Sequence, residues 1–239
     1  MDKQPVYKRI LLKLSGEALA PEDRGNGILD FTFIERVAAV IRKCLGAGVQ
    51  IGIIVGAGNI WRGAKGVHMD RCRADHMGML GTVINALALQ DTFLRCGIDT
   101  AVMTAVEMHS FADHYTSRDA DKALSAGRVV IFGGGLGAPY FSTDTAAALR
   151  AAEIGADAIL MAKNVDYLYD SDPRKNPDAK PIYDITYEEI IERDLRAFDM
   201  TAVSFCMDNH IDAYGFALKD PENIYRAVMG EPVGTKMHP

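Results

Sequence analysis

The amino-acid sequence predicts an α/β protein: a single three-layer αβα domain with a mainly parallel central sheet, spanning residues 1–239. Three observations lead there. Short β-rich apolar runs alternate with longer stretches of helical periodicity, and repeated strand–helix–strand order implies parallel strands with helices on both faces. Val49–Val55 (VQIGIIV) is an unbroken apolar run, as expected of a strand covered on both sides. No internal repeat, low-complexity tract or Ser/Pro-rich linker divides the chain into separate units.

The elements follow in order. Tyr7–Leu14 reads as a strand, and Phe31–Leu45 as a helix with Asp30 as N-cap and Gly46 to Gly48 as its stop. After the strand Val49–Val55 a long helix runs from about Asp75 to Cys96, ended by Gly97, with Met77 and Met79 in its core face. Asp99–Thr104 and Arg128–Phe132 are strands flanking a short helix near Arg118–Ala126. A helix from about Asp144 to Ile154 leads to the strand Asp157–Ala162. Thr186-Tyr-Glu-Glu189 fits a capping box, and Asp220-Pro221 followed by Gly230 brackets a last helix. Asp170–Pro181 is polar and proline-bearing, and reads as a surface loop or lid.

Composition narrows the function. Hydrophobic residues make up 49% and charged residues 24%, a globular balance that excludes disorder. The net charge of −6 argues against a sequence-independent nucleic-acid binder, which needs a dense basic surface. Cys44, Cys72, Cys96 and Cys206 are dispersed and form no CxxC pair, the pattern of reduced thiols. MDKQPVYKR at the start lacks the apolar stretch of a signal peptide, and the uncharged run Cys44–Trp61 is broken by glycines. The expectation is a cytoplasmic protein without membrane or nucleic-acid partners.

Ligands of an open parallel sheet sit beyond the carboxyl ends of its strands. Three predicted strands end there in glycine-bearing loops: Lys13-Leu-Ser-Gly16, Gly56-Ala-Gly-Asn-Ile-Trp-Arg-Gly63 and Gly133-Gly-Gly-Leu-Gly-Ala-Pro139. Glycines let backbone N–H groups approach an anion closely, although tight turns also use them. No GxxxxGK[ST] phosphate loop occurs. Gly133-x-Gly135-x-x-Ala138 matches the loose dinucleotide fingerprint, but Pro139 falls where that motif needs a hydrogen-bonded helix. The loop therefore reads as a phosphate or sugar loop. Phosphoryl transfer needs cations for a spreading negative charge and carboxylates for magnesium. Lys13 and Arg62 are the candidate cations; Asp75, Asp144, Asp172 and Asp199 are the acids, each of which could equally be a cap or turn residue. His68, Cys72 and His76 recur every four residues and would share a helix face that could bind zinc, although no fourth ligand is evident. His109 and His114 read as loop residues.

Taken together, these pieces resemble the bacterial uridylate kinases (UMP kinases) of the amino-acid-kinase fold family. The resemblance is carried by Tyr7-Lys-Arg-Ile-Leu-Leu-Lys-Leu-Ser-Gly-Glu-Ala18, Gly58-Asn59 with Arg62-Gly63, Asp75-His-Met-Gly-Met79, Gly137 with Pro139 and Thr143-Asp144, Asp172-Pro173, Val228-Met-Gly-Glu231 and Gly234-Thr235. These lie in collinear order across nearly the whole chain. The resemblance implies phosphorylation of UMP by ATP with Mg2+, carried mainly by the ATP phosphates, in a homohexamer of pyrimidine biosynthesis with GTP and UTP as effectors. By motif position, Lys13, Leu14, Ser15 and Gly16 would contact ATP, and Gly58 and Arg62 the transferring or acceptor phosphate. Asn164, Tyr169 and Asp172 would form the ATP base and ribose side. Ala57 and Asp75 would face UMP, which the loop of Leu136, Gly137, Ala138, Pro139, Tyr140, Phe141, Ser142 and Thr143 would cradle. Asp144 and Asp199 would orient Lys13 or the metal.

Four departures from that family's pattern stand out: Ala57 for a usual glycine, Ala138 for a usual asparagine, Tyr167 where glycine usually follows Val165-Asp166, and PEDRGNG over Pro21–Gly27, where relatives have a region of GTP activation. Two other readings stay open at this point: a relative with a carboxylate or carbamate acceptor, and a nucleotide-binding assembly without turnover.

Overall fold

The computed structural model describes residues 4–239 apart from 24–26, 62–67, 164, 172, 174 and 196–197. Its centre is β1 (Arg9–Leu14), flanked in parallel by β2 (Gln50–Val55) and β6 (Ala158–Lys163). Outward from β2 lie β5 (Val129–Gly133), β3 (Thr100–Thr104) and the short β4 (Asp113–His114). Outward from β6 lie β10 (Asp212–Ala217), β11 (Thr235–His238) and β9 (Asp184–Thr186). Among the described residues of this nine-stranded sheet, only β10 and β11 pair antiparallel.

Alternation of side chains along β1 decides the layers. Ile10, Leu12 and Leu14 enter one core with α1 (Phe31–Gly46), α2 (Arg71–Arg95) and α7 (Glu222–Val228). Leu11 enters the other, with α3 (Ser117–Ser125), α4 (Thr143–Glu153), α5 (Tyr187–Glu192) and α6 (Met200–Asp208). Lys13 has the same parity as Leu11 and so lies on the α4 side.

The helix starts follow local chemistry. Asp30 accepts from Phe33 N–H to open α1, and Thr186 and Glu189 form a full capping box on α5. α2 begins four residues earlier than the apolar pattern predicts, because Asp70 accepts from Arg73 N–H. Met77, expected in the core face of that helix, is 38% exposed, in line with Leu80, Ile84 and Leu94. α6, β10 and β11 escape the sequence pattern. Asp212-Ala-Tyr-Gly-Phe-Ala217 has no continuous apolar run, and it becomes a strand by pairing with β6 on one side and β11 on the other. The predicted loop Asp170–Pro181 is tethered at its base by the ribbon β7 (Leu168–Tyr169) with β8 (Pro181–Ile182), and Asp170 accepts from Lys180 N–H.

Candidate active site

The first two glycine loops lock together at the carboxyl ends of β1 and β2. A Cβ on Gly16 would lie 2.3 Å from the Gly56 carbonyl oxygen, so glycine is required there. Gly56 N–H donates to Leu14 O at 3.0 Å. Behind them Asn85, buried on α2, donates to Gly56 O at 2.7 Å and exchanges amide hydrogen bonds with Asn59 at 2.8 and 3.0 Å. The sequence held no signal for Asn85, whose role depends on α2 passing beneath both loops.

Lys13 sits at the end of β1 beside these loops. Its Nζ lies 2.9 Å from Asp144 Oδ1, both side chains largely buried. At that distance Asp144 holds Lys13 in a charge-assisted contact, and a lysine ammonium carries three donors in all. Lys163, the last residue of β6, reaches Asp144 Oδ2 at 3.7 Å. Burial pushes the Asp144 carboxyl up, but the charges of Lys13 and Lys163 overcome this and hold it below the ordinary carboxylate range. Lys163 is shifted down, chiefly by burial and also by the neighbouring Lys13.

Asp199 works at one remove. Its Oδ1 accepts from Thr201 N–H as the N-cap of α6, and its Oδ2 accepts from Ser142 and Thr145 hydroxyls at 2.5 and 3.1 Å. The Asp199 carboxylate thus clasps α4 to α6. The main-chain N–H of Asp199 in turn bonds Asp144.

Beside these loops lies a cavity of about 160 Å3, lined among others by Ala57, Trp61, Asp75, Thr82, Leu136 and Thr143. Ala138 and Phe141 from the predicted loop line it too. Gly134, Gly135 and Gly137 all take positive φ, which lets the chain double back after β5. Gly134 N–H donates to the buried Thr82 hydroxyl, a second anchor on α2 that the sequence did not reveal. Tyr140 is held at φ 74° with its ring exposed, and its N–H donates to Asp75 Oδ2 at 2.8 Å. The same oxygen takes Arg71 Nε at 2.8 Å, so both hydrogen bonds that this carboxylate accepts among the described residues fall on Oδ2. Partial burial raises the Asp75 carboxyl, but the Tyr140 N–H and the Arg71 guanidinium outweigh it and bring the carboxyl below its usual range. Ser142 caps α4, accepting from Asp144 and Thr145 N–H groups. α4 begins at Thr143, after Pro139, so the glycine loop does not run into its helix as a dinucleotide fingerprint would.

The fold therefore gathers Lys13, Leu14, Ser15, Gly16, Ala57, Gly58, Asp75, Asp144 and the 136–143 segment at one edge. Tyr169 stands apart from the cavity, in the β7–β8 ribbon beyond β6. Arg62, Asn164 and Asp172 lie outside the described residues. The zinc alternative loses its premise, because His68 precedes α2 and does not share a helix face with Cys72 and His76.

Comparison with known proteins agrees with this geometry. The sequence profile of the amino acid kinase family matches residues 8–214. The fold is similar to a solved UMP kinase from Bacillus anthracis (TM-score 0.92, 36% identity, 97% of this chain and 96% of that one). It is similar also to UMP kinase from Ureaplasma parvum (0.90, 37%, all of both chains) and to uridylate kinase from Archaeoglobus fulgidus (0.75, 27%, 95% and 99%).

Proposed function

The chain belongs to the amino acid kinase family, and we propose that within it this protein is a UMP kinase, moving the γ-phosphoryl group of ATP onto the phosphate of UMP to give UDP and ADP. The observation that carries this reading is a junction on α4. Thr143 lines the acceptor cavity and its neighbour Asp144 holds Lys13, so acceptor and cation meet one residue apart. The full-length likeness to solved UMP kinases supports the choice of acceptor.

The acceptor phosphate is already ionised, so transfer needs no strong general base. Positioning and charge neutralisation do the work. Lys13 faces the transferring group from the middle of the sheet, with the Ser15–Gly16 backbone beside it. Asp75 Oδ1 takes an acceptor hydroxyl, and Leu136–Thr143 closes over the nucleotide. Mg2+ would neutralise charge on the nucleotide phosphates. The nearby carboxylates suit an ion carried mainly by those phosphates, since Asp144 is engaged by two lysines and Asp199 by Ser142, Thr145 and Thr201.

The same reading places the protein in pyrimidine nucleotide synthesis in the cytoplasm, as a homohexamer responding to GTP and UTP. The exposed stripe Met77, Leu80, Ile84 and Leu94 along one face of α2 supports self-association. No helix among the described residues is long and apolar enough to cross a membrane. The test is UDP formation from ATP and UMP, with CMP, dUMP and carbamate as alternative acceptors. Turnover with UMP alone or strongly preferred supports the reading; turnover with carbamate and none with UMP overturns it.

A further inference from the structure

Helix α2 turns one stripe of its surface toward the loops at the carboxyl ends of the sheet. Gly78, Gly81, Thr82 and Asn85 recur at the three- and four-residue spacing of a single helix face. Each meets a loop: Gly78 faces the Trp61 ring, Gly81 the Ala57 methyl, Thr82 the Gly134 N–H, and Asn85 the Gly56 carbonyl. Asn85 is fully buried.

A buried amide is stable only if its two hydrogens and its oxygen all find partners. At Asn85 they do. Nδ2 donates to Gly56 O at 2.7 Å and to Asn59 Oδ1 at 2.8 Å, while Oδ1 accepts from Asn59 Nδ2 at 3.0 Å. The second Asn59 hydrogen goes to Ile28 O at 2.7 Å, so all four amide hydrogens of the pair have acceptors. A leucine would fill a similar volume but would strand the Gly56 carbonyl and the Asn59 amide together. A closed network of this kind specifies one arrangement of the segments it joins.

Those segments belong to opposite sides of the proposed reaction. The two oxygens that Asn85 fixes are the ones that crowd Gly16: a Cβ placed there would lie 2.3 Å from Gly56 O and 2.7 Å from Asn59 Oδ1. Gly16 follows Ser15 in the turn after β1, on the side proposed for the donor. Ala57, one residue after Gly56, lines the cavity proposed for the acceptor. Among the described residues neither asparagine lines that cavity, so the pair stands behind the seam between the two turns.

We infer that Asn85 is a positioning residue for phosphoryl transfer: through Gly56 and Asn59 its amide sets the separation of the Ser15–Gly16 turn from the loop that carries Ala57. This rests on the kinase reading above. Transfer between two bound phosphates needs the attacking oxygen and the phosphorus about 3–3.5 Å apart and in line, and a misplacement of about 1 Å costs about a hundredfold in rate. Asn85 supplies neither charge nor proton to that step. It holds two backbone turns so that each nucleotide, bound in its own half, already faces the other.

The experiment compares full-length wild type with Asn85→Ala, Asn59→Ala, the double variant and Leu89→Val, a control at a buried core position one turn further along α2. The measurements are kcat at saturating ATP and UMP, thermal melting, and calorimetric binding of UMP and of a non-hydrolysable ATP analogue, each alone. Asn85→Ala should lower kcat about a hundredfold while affinity for each nucleotide alone stays close to wild type. Asn59→Ala should lower kcat less, because Gly56 O keeps its bond from Asn85, and the double variant should fall no further than Asn85→Ala. Leu89→Val should melt earlier but keep its kcat. Near-normal kcat in Asn85→Ala, an equal fall in Leu89→Val, or a loss confined to the binding of one nucleotide each overturns the assignment. Should Asn85→Ala fail to fold, Asn59→Ala decides, and unchanged kcat there overturns it as well. Wild type that phosphorylates carbamate but not UMP defeats the UMP reading instead, and the same variants are then compared on that acceptor. Wild type without turnover on any acceptor overturns both.

Discussion

The methyl group of Ala57 fits against the bare α-carbon of Gly81: a Cβ added at Gly81 would lie 2.9 Å from Ala57 Cβ, closer than two methyl carbons approach. Ala57 stands where the resembled family usually carries glycine, directly on the cavity proposed for the acceptor. α2 makes room for the extra methyl with a glycine of its own. The departure at residue 57 is thus absorbed by the helix behind it.

That relationship predicts coupling. Gly81→Ala alone gains up to about 1 kcal/mol of helix propensity but forces two methyls together, for a net loss of about 1–2 kcal/mol. Ala57→Gly with Gly81→Ala should recover wild-type stability or exceed it. A double-mutant cycle from urea unfolding should return an interaction of about 1–3 kcal/mol. Additive effects would show that the two residues do not share one space.

Asp144 predicts a pH dependence. Its carboxyl is below the ordinary range when folded and returns to about 3.9 when unfolded. In the window between those values the unfolded state binds more protons, so stability rises with pH there. The contribution is complete above the unfolded value and is lost as pH falls through the folded one. Asp144→Asn should flatten the acid limb of a stability profile taken from about pH 6 to pH 2. At neutral pH it should cost about 3–5 kcal/mol, because the two buried lysines then lose the carboxylate between them. Lys13→Ala should instead leave the fold in place and lower the rate at least about a hundredfold. Near-normal turnover in that variant would remove the lysine from the mechanism.

Asp75 joins the proposed acceptor position to the strained backbone of Tyr140. Tyr140 at φ 74° costs about 1–3 kcal/mol, offset in part by its N–H bond to Asp75. Asp75→Ala should raise KM for UMP by about tenfold or more, the loss of a charged hydrogen bond, with KM for ATP changed little. Adding Tyr140→Gly should restore melting temperature, since glycine adopts positive φ freely, without restoring KM. Recovery of both together would mean that Asp75 only shapes the loop.

Much of this molecule is written in local chemistry. Asp30, Thr186 with Glu189, and the unbroken apolar run of β2 announce their elements because caps and burial patterns act within a few residues. Lys13 was legible because a strand-end lysine before Ser-Gly is unusual in a parallel sheet, and Asp75, Asp144 and the 136–143 loop followed from motif order. Strand β10 was not legible, since Asp212–Ala217 owes its conformation to neighbours on both sides. The same holds for Asn85 under the glycine loops, for Gly81 opposite Ala57, and for the clasp that Asp199 makes between two helices. Lys163 is the clearest case: along the chain it is one lysine at the end of one strand, and only the packing of α4 across β1 and β6 brings it to the carboxylate that Lys13 already holds. Propensity and periodicity act between near neighbours in sequence, whereas charge, steric fit and desolvation act between near neighbours in space, and the chain reveals the second set only once it is folded.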